Sequence, residues 1–211
     1  MQHAHAIQTF RGPAIQPWLD DVARLRVAVF RDWPYLYAGD LAYEREYLAA
    51  YAESNDSVFV LAVDEGRVVG ASTGLPLLDD SAEFRQPFLA SDIDPAHVFY
   101  FGESVLLPTW RGRGIGHAFF DAREDHARGL GDYRWTAFAA VDRDAHDARR
   151  PADFRGNDDF WRKRGYSRQP GMTMQLHWNE IDQGPMAHAL TFWTRPLEWG
   201  PLRREPKEGV A

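Results

Sequence analysis

Three glycines and two arginines crowd into Arg111-Gly112-Arg113-Gly114-Ile115-Gly116, and these residue types at this spacing can hold an anion. Glycines let the main chain approach a phosphate closely, and arginines add cationic donors. The segment ahead of the run, Val98–Leu107, reads VFYFGESVLL, apolar with β-branched and aromatic residues, and Pro108 closes it. The segment behind it places Ala118, Phe119, Ala122 and Ala127 at helical spacing, with Gly129 and Gly131 near its end. A strand, a glycine-rich turn and a helix start therefore follow one another. The unpaired N–H groups of a first helical turn, together with the helix dipole, favour negative charge at that place. The expectation is a phosphate-containing cofactor seated between Arg111 and Gly116.

Three kinds of phosphate loop can be compared with the run. A dinucleotide fingerprint needs G-x-G-x-x-G, but counting from Gly112 the third glycine falls on His117. A nucleoside-triphosphate loop needs Gly-Lys-Ser/Thr, a tripeptide that does not occur in the chain. What fits is R-x-x-G-x-G, read as Arg111, Gly114 and Gly116 after a strand. In this the chain resembles the GNAT superfamily of acyl-coenzyme A-dependent N-acetyltransferases. The resemblance implies that the amides of Arg111, Gly112, Arg113, Gly114, Ile115 and Gly116 hold the pyrophosphate of acetyl-coenzyme A. It also implies that the backbone of Leu106 and Leu107 pairs with the pantetheine arm as an added strand would.

The chemistry so implied is acyl transfer from a thioester to an amine. An ammonium cannot attack a carbonyl, so a base must take its proton. Glu103 is the first candidate, because it lies in the strand that leads to the loop, and partial burial there would strengthen it as a proton acceptor. Its alternative role is an ion pair with an arginine. His146 is the second candidate, since histidine ordinarily titrates near neutrality. Many members of the family carry a tyrosine four residues before the glycine that ends the last helix, where it can act as an acid. Here Trp161 holds that place, ahead of Gly165. An indole N–H donates a hydrogen bond but cannot protonate a thiolate, so Trp161 is expected to pack against the cofactor arm. The aromatic turn with Trp33, Tyr35 and Tyr37 is placed over the acceptor pocket by the resemblance.

These residues need elements to position them. Ala6–Arg11 reads as an opening strand, and Gln16–Arg31 as a helix whose apolar face includes Val22, Leu25, Arg26 and Val29. Asp40 is an N-cap candidate for a helix over Leu41–Glu53. Ser57–Val63 and Arg67–Thr73 flank Asp64-Glu65-Gly66, a hairpin signal. After the Val98–Leu107 strand and the loop helix come a strand at Arg134–Val141, a short helix at Asp158–Arg164, and strands at Met172–Trp178 and His188–Thr194. The fold class expected is α/β (α+β), a mixed and mostly antiparallel sheet of about seven strands flanked by helices. It forms a single domain over residues 1–199 with a loose tail over 200–211. Leu75–His97 and Asp142–Asn157 read as long connections suited to substrate choice.

Composition excludes several classes. A net charge of −7 argues against a nucleic-acid partner, and the absence of cysteine excludes disulfides, thiolate metal sites and a cysteine nucleophile. No metal site is expected; His3 and His5 are read as a flexible end. No apolar run can cross a bilayer and no charged-then-apolar leader opens the sequence, so a cytoplasmic protein without a membrane partner is expected. The acceptor would be a small-molecule or peptide amine, and the protein a monomer or homodimer. The alternative reading is a coenzyme A-binding sensor or interaction module of the same fold, without catalysis.

Overall fold

The computed structural model describes residues 5–198, so the tail expected from Gly200 lies outside the described residues. Strands β1 (Ala6–Arg11), β2 (Val58–Asp64) and β3 (Arg67–Pro76) form an antiparallel meander. The β2–β3 turn has Glu65 and Gly66 at φ 47° and 78°, the left-handed pair that a tight hairpin turn demands. β2 is buried along its length because it is covered on both faces. Phe59, Leu61 and Val63 join the core under helices α1 (Leu19–Phe30) and α2 (Leu41–Glu53), while Val58, Val60 and Ala62 join the core under α4 (Ile115–Leu130). Three layers result, helices on either side of one sheet.

The helix expected from Gln16 begins as an α-helix only at Leu19. Gly12–Trp18 forms tighter turns containing Pro13 and Pro17, which lack an N–H for the helical ladder. Asp40 caps α2, accepting from the N–H groups of Ala42 at 2.8 Å and Tyr43 at 3.0 Å. The connection Leu75–His97 contains a helix that periodicity did not reveal, α3 (Ala82–Leu89), whose short run is interrupted by Pro87.

The strand expected over Val98–Leu107 is two strands, β4 (Val98–Tyr100) and β5 (Ser104–Leu106), which raises the count to eight. Both pair with β3, Tyr100 opposite Leu75 and Ser104 opposite Ser72. Three residues, 101–103, thus oppose two, 73 and 74, which is a β-bulge. Beyond it β5 leaves the rest of the sheet. β4 runs parallel to β6 (Trp135–Val141) as far as Tyr100 opposite Ala137, whereas among the described residues β5 pairs with β3 alone. The sheet is completed by β8 (Gly184–Pro196) beside β6, with β7 (Ser167–Glu180) at the edge; α5 (Asp158–Lys163) lies between β6 and β7 in sequence. Both last strands exceed their sequence expectation because they pair as one long hairpin, its polar outer positions included.

Candidate active site

The bulge owes its existence to Gly102. A Cβ there would fall 2.6 Å from Thr73 Oγ1 and 2.8 Å from the Tyr51 hydroxyl, closer than side chains pack. Behind the bulge stands Arg123 of α4, 1% exposed. Its guanidinium donates to the carbonyls of Thr73 (3.1 Å) and Glu103 (3.0 Å) and to Ser104 Oγ (2.9 Å), and burial lowers its pKa to about 10. Sequence reasoning missed this residue; its signal was a charge at helical spacing among Phe119, Phe120 and Ala127, all buried.

Among the described residues β5 therefore has a free edge. Glu103 O accepts from Thr73 N and Leu107 N donates to Val69 O, so alternate residues face β3. By the same alternation the amide groups of Ser104 and Leu106 face away from β3, towards the side where β6 departs. Leu107 does not offer the main chain expected of it. Its N–H is bonded to Val69 O and its carbonyl accepts from Trp110 N, because it already begins the Pro108–Trp110 turn.

The glycine run follows directly. Gly112 and Gly114 have φ of 75° and 82°, left-handed values that other residues adopt only with strain, and open space lies where their side chains would be. Gly114 is the N-cap of α4, and neither a side-chain cap nor an acidic residue stands at the first turn. The first ladder bond is Ala118 N to Gly114 O, which leaves the amides before it to whatever sits above them. Arg111 and Arg113 are exposed, and the Arg113 guanidinium lies 4.5 Å over the Trp110 ring. Ile115 is buried, so it can contribute only main chain. Gly116 faces α5, where a Cβ would meet Phe160 at 3.6 Å. Trp161, one residue on, packs its indole on Phe138 and Trp193, with ring centroids 4.9 and 5.2 Å apart. It is half-buried there, lying against the core cluster.

A cavity of about 160 Å³ opens at the bulge and is lined by Gly102, Glu103 and Ala139 on the sheet. Glu103 is 8% exposed, and Arg26 Nη1 of α1 stands 2.5 Å from its Oε2. Neither Glu103 oxygen accepts an aligned hydrogen bond, and among the described residues no other buried carboxylate oxygen lacks one. An unsatisfied buried acceptor at a cavity wall calls for a donor from a ligand. The Arg26 guanidinium is also bonded through Nε to Glu44 of α2. Burial opposes the Arg26 charge, but Glu103 and Glu44 outweigh it and the pKa is raised. Arg26 and Glu44 were both missed as site residues. Arg26 appeared in the sequence as a charge on the apolar face of its helix, which was the available signal.

Tyr35 and Tyr37 of the aromatic turn line this cavity, and Trp33 does not. Trp33 instead packs on Phe154, centroids 6.2 Å apart, and under Arg143 at 5.4 Å. Burial, and then the Glu44 charge, push the Tyr37 phenol up to about 12. Behind Gly102, Tyr51 donates to Asp80 Oδ2 at 2.8 Å, and burial raises that carboxyl to about 6. His146 is exposed on the β6–α5 connection, its N–H on Asp144 Oδ1, and does not reach the cavity wall. The same connection is clasped to the aromatic turn through the buried Glu180. Arg143 lies 2.9 Å and Arg149 3.0 Å from that carboxylate, while Arg143 also donates to the carbonyls of Pro34 and Tyr35.

A buried carboxylate paired with Arg26, a strand edge turned away from β3 and an uncapped glycine-rich helix start thus follow one another along residues 103–116. The model of the acetyltransferase (GNAT) family matches residues 22–151. The fold is similar to that of an N-acetyltransferase from Staphylococcus aureus Mu50, at 12% identity and a TM-score of 0.57, with 92% of this chain and 99% of that chain covered. A ribosomal-protein-alanine N-acetyltransferase from Brucella melitensis aligns at 14% identity and a TM-score of 0.57, over 90% and 99% of the two chains. A GNAT superfamily phosphinothricin acetyltransferase from Sinorhizobium meliloti, solved in complex with acetyl-CoA, aligns at 18% identity and a TM-score of 0.55, over 98% and 95%. A search of curated proteins found no match. Among the described residues no helix is long and apolar enough to cross a membrane.

Proposed function

Because the chain belongs to the GNAT acetyltransferase family, we propose that it moves an acetyl group from acetyl-CoA to a primary amine by direct transfer. The observation that carries this reading is the buried Glu103 carboxylate, ion-paired with Arg26 through Oε2 while its Oε1 has no hydrogen-bond partner, one residue before the free edge of β5 and eight before Arg111. The residues present fit the cofactor. The uncapped first turn of α4 with left-handed Gly112 and Gly114 suits a pyrophosphate, and Arg111 and Arg113 add charge beside it. The outward amides of Ser104 and Leu106 suit an extended arm laid along β5. When bound, acetyl-CoA supplies the acyl carbon for the new C–N bond and takes away the electron pair of the broken C–S bond as a thiolate.

Glu103 accepts the proton that the acceptor ammonium must lose, and Arg26 steadies the carboxylate in its orientation. The tyrosine-rich wall of the cavity, with Tyr37, Tyr47 and Tyr100, excludes water from the nitrogen. Trp161, half-buried against Phe138 and Trp193, stands where the family usually carries its tyrosine acid, so either a tyrosine of the cavity wall such as Tyr35 or Tyr37 would protonate the departing thiolate or the thiolate would leave without a proton donor. That same substitution is what favours the second reading, a coenzyme A-binding sensor without turnover. Thiol release from acetyl-CoA, measured with a primary amine and with buffer alone, separates the two. Amine-dependent release supports the transferase; acetyl-CoA binding with no amine-dependent release supports the sensor.

A further inference from the structure

The cavity at Glu103 is selective in charge, in polarity and in size. Its cation, Arg26, is already engaged by Glu44 on one side and Glu103 on the other. The rings of Tyr47 and Phe30 lie 4.5 and 5.0 Å from the guanidinium carbon. Nothing of that charge remains for an anionic group of a ligand. Two buried carboxylates against one guanidinium leave the wall with an excess negative charge. Asp80 adds to it from behind Tyr51. The other titratable nitrogen on the cavity, His177, stands exposed at the rim.

The rest of the wall is apolar or aromatic: Phe30, Phe84, Tyr100, Leu176, Trp178 and Leu190. The volume, about 160 Å³, is close to the ~150 Å³ at which an apolar protein cavity takes up benzene. There is room for one ring and a short arm. We infer that the acceptor is an arylalkylamine, a monoamine on a short chain from a single apolar ring, with no carboxylate beside the nitrogen. The inference names the substrate class of the transfer proposed above and so rests on that reading.

The test is calorimetric and needs no turnover. 2-Phenylethylamine, phenylalanine and ethylamine are titrated into the full-length protein, with and without saturating acetyl-CoA. Phenylalanine adds only the carboxylate, and ethylamine removes only the ring. 2-Phenylethylamine is expected to bind at least ~10-fold more tightly than either, about 1.4 kcal/mol, since a like charge within a few ångströms weakens the first and the lost ring the second. Equal or tighter binding of phenylalanine or ethylamine, or no binding of 2-phenylethylamine at millimolar concentration in either state, would overturn the inference. Acetyl-CoA titrated alone reports on the transferase reading separately. If it fails to bind while the amine preference holds, the cavity's selectivity for the amine stands, but the proposed reaction falls and with it the amine's role as acceptor.

Discussion

A single methyl group at Gly102 probes the bulge on which the site depends. In Gly102→Ala the new Cβ falls 2.6 Å from Thr73 Oγ1, 2.8 Å from the Tyr51 hydroxyl and 2.9 Å from Tyr51 Cε1. Neither neighbour can swing clear. Thr73 is fully buried, and Tyr51 is 3% exposed with its hydroxyl held by Asp80. The backbone of residues 101–103 must therefore move, and overpacking of this kind costs ~1–3 kcal/mol. For a domain of this length each kcal/mol lowers Tm by about 2–4 °C, so a fall of roughly 2–12 °C is expected in thermal unfolding. Glu103 moves with the bulge, and a misplacement near 1 Å can cost ~100-fold in rate. Initial rates should show kcat/KM reduced ~10- to 100-fold. The affinity for acetyl-CoA should fall by less than kcat/KM does, because Ser104 borders the disturbance while the Gly112–Gly116 amides lie beyond it. A Tm within ~1 °C of wild type together with an unchanged kcat/KM would refute the claim that the bulge is close-packed and positions the carboxylate.

The remaining predictions concern other parts of the site. Glu103→Gln keeps the shape and removes the base, so kcat should fall ~10²- to 10⁴-fold with acetyl-CoA affinity preserved; a loss below ~3-fold would assign proton removal elsewhere. Gly114→Val forces a branched residue to φ 82° in open space, at a cost of ~1–2 kcal/mol if the loop keeps its shape; relaxation of the loop instead should weaken acetyl-CoA binding by ~10-fold or more, and a variant with both stability and affinity intact would contradict the cradle. Asp80 titrates at about 6 in the fold against 3.8 ordinarily, so the native state holds its proton more tightly than the unfolded chain. This group's contribution to stability is present below about pH 4 and is lost as pH rises to about 6. Asp80→Asn cannot ionise, so its Tm should gain on wild type across that window and stay level above it; parallel curves would show that the carboxyl is not perturbed.

The parts of this molecule legible in the sequence are those written locally. Asp40 announces the start of α2, Asp64-Glu65-Gly66 the β2–β3 turn, and the glycine run the left-handed turns that open α4. The bulge was not legible, because VFYFGESVLL reads as one extended run and only packing against Thr73 and Tyr51 reveals why Gly102 interrupts it. That single extra residue also decides which amides of β5 are free, which is why Leu107 was expected on the open edge and lies bonded to Val69. Charges present the same difficulty. Arg26, Glu44 and Arg123 are indistinguishable by type from solvated helix residues, and their roles arise from partners 18 or more positions away. His146 and Trp33 show the reverse: residue types suited to chemistry whose placement the tertiary structure alone determines.

The most direct test follows two products in one reaction. Wild-type protein is incubated with acetyl-CoA and 2-phenylethylamine, while free thiol and N-acetylated amine are measured over the same time course. Direct transfer predicts that the two accumulate in equal amounts, and that both slow together by ~10²- to 10⁴-fold in Glu103→Gln. Thiol released without acetylated amine, or no thiol release while acetyl-CoA is bound, would contradict it.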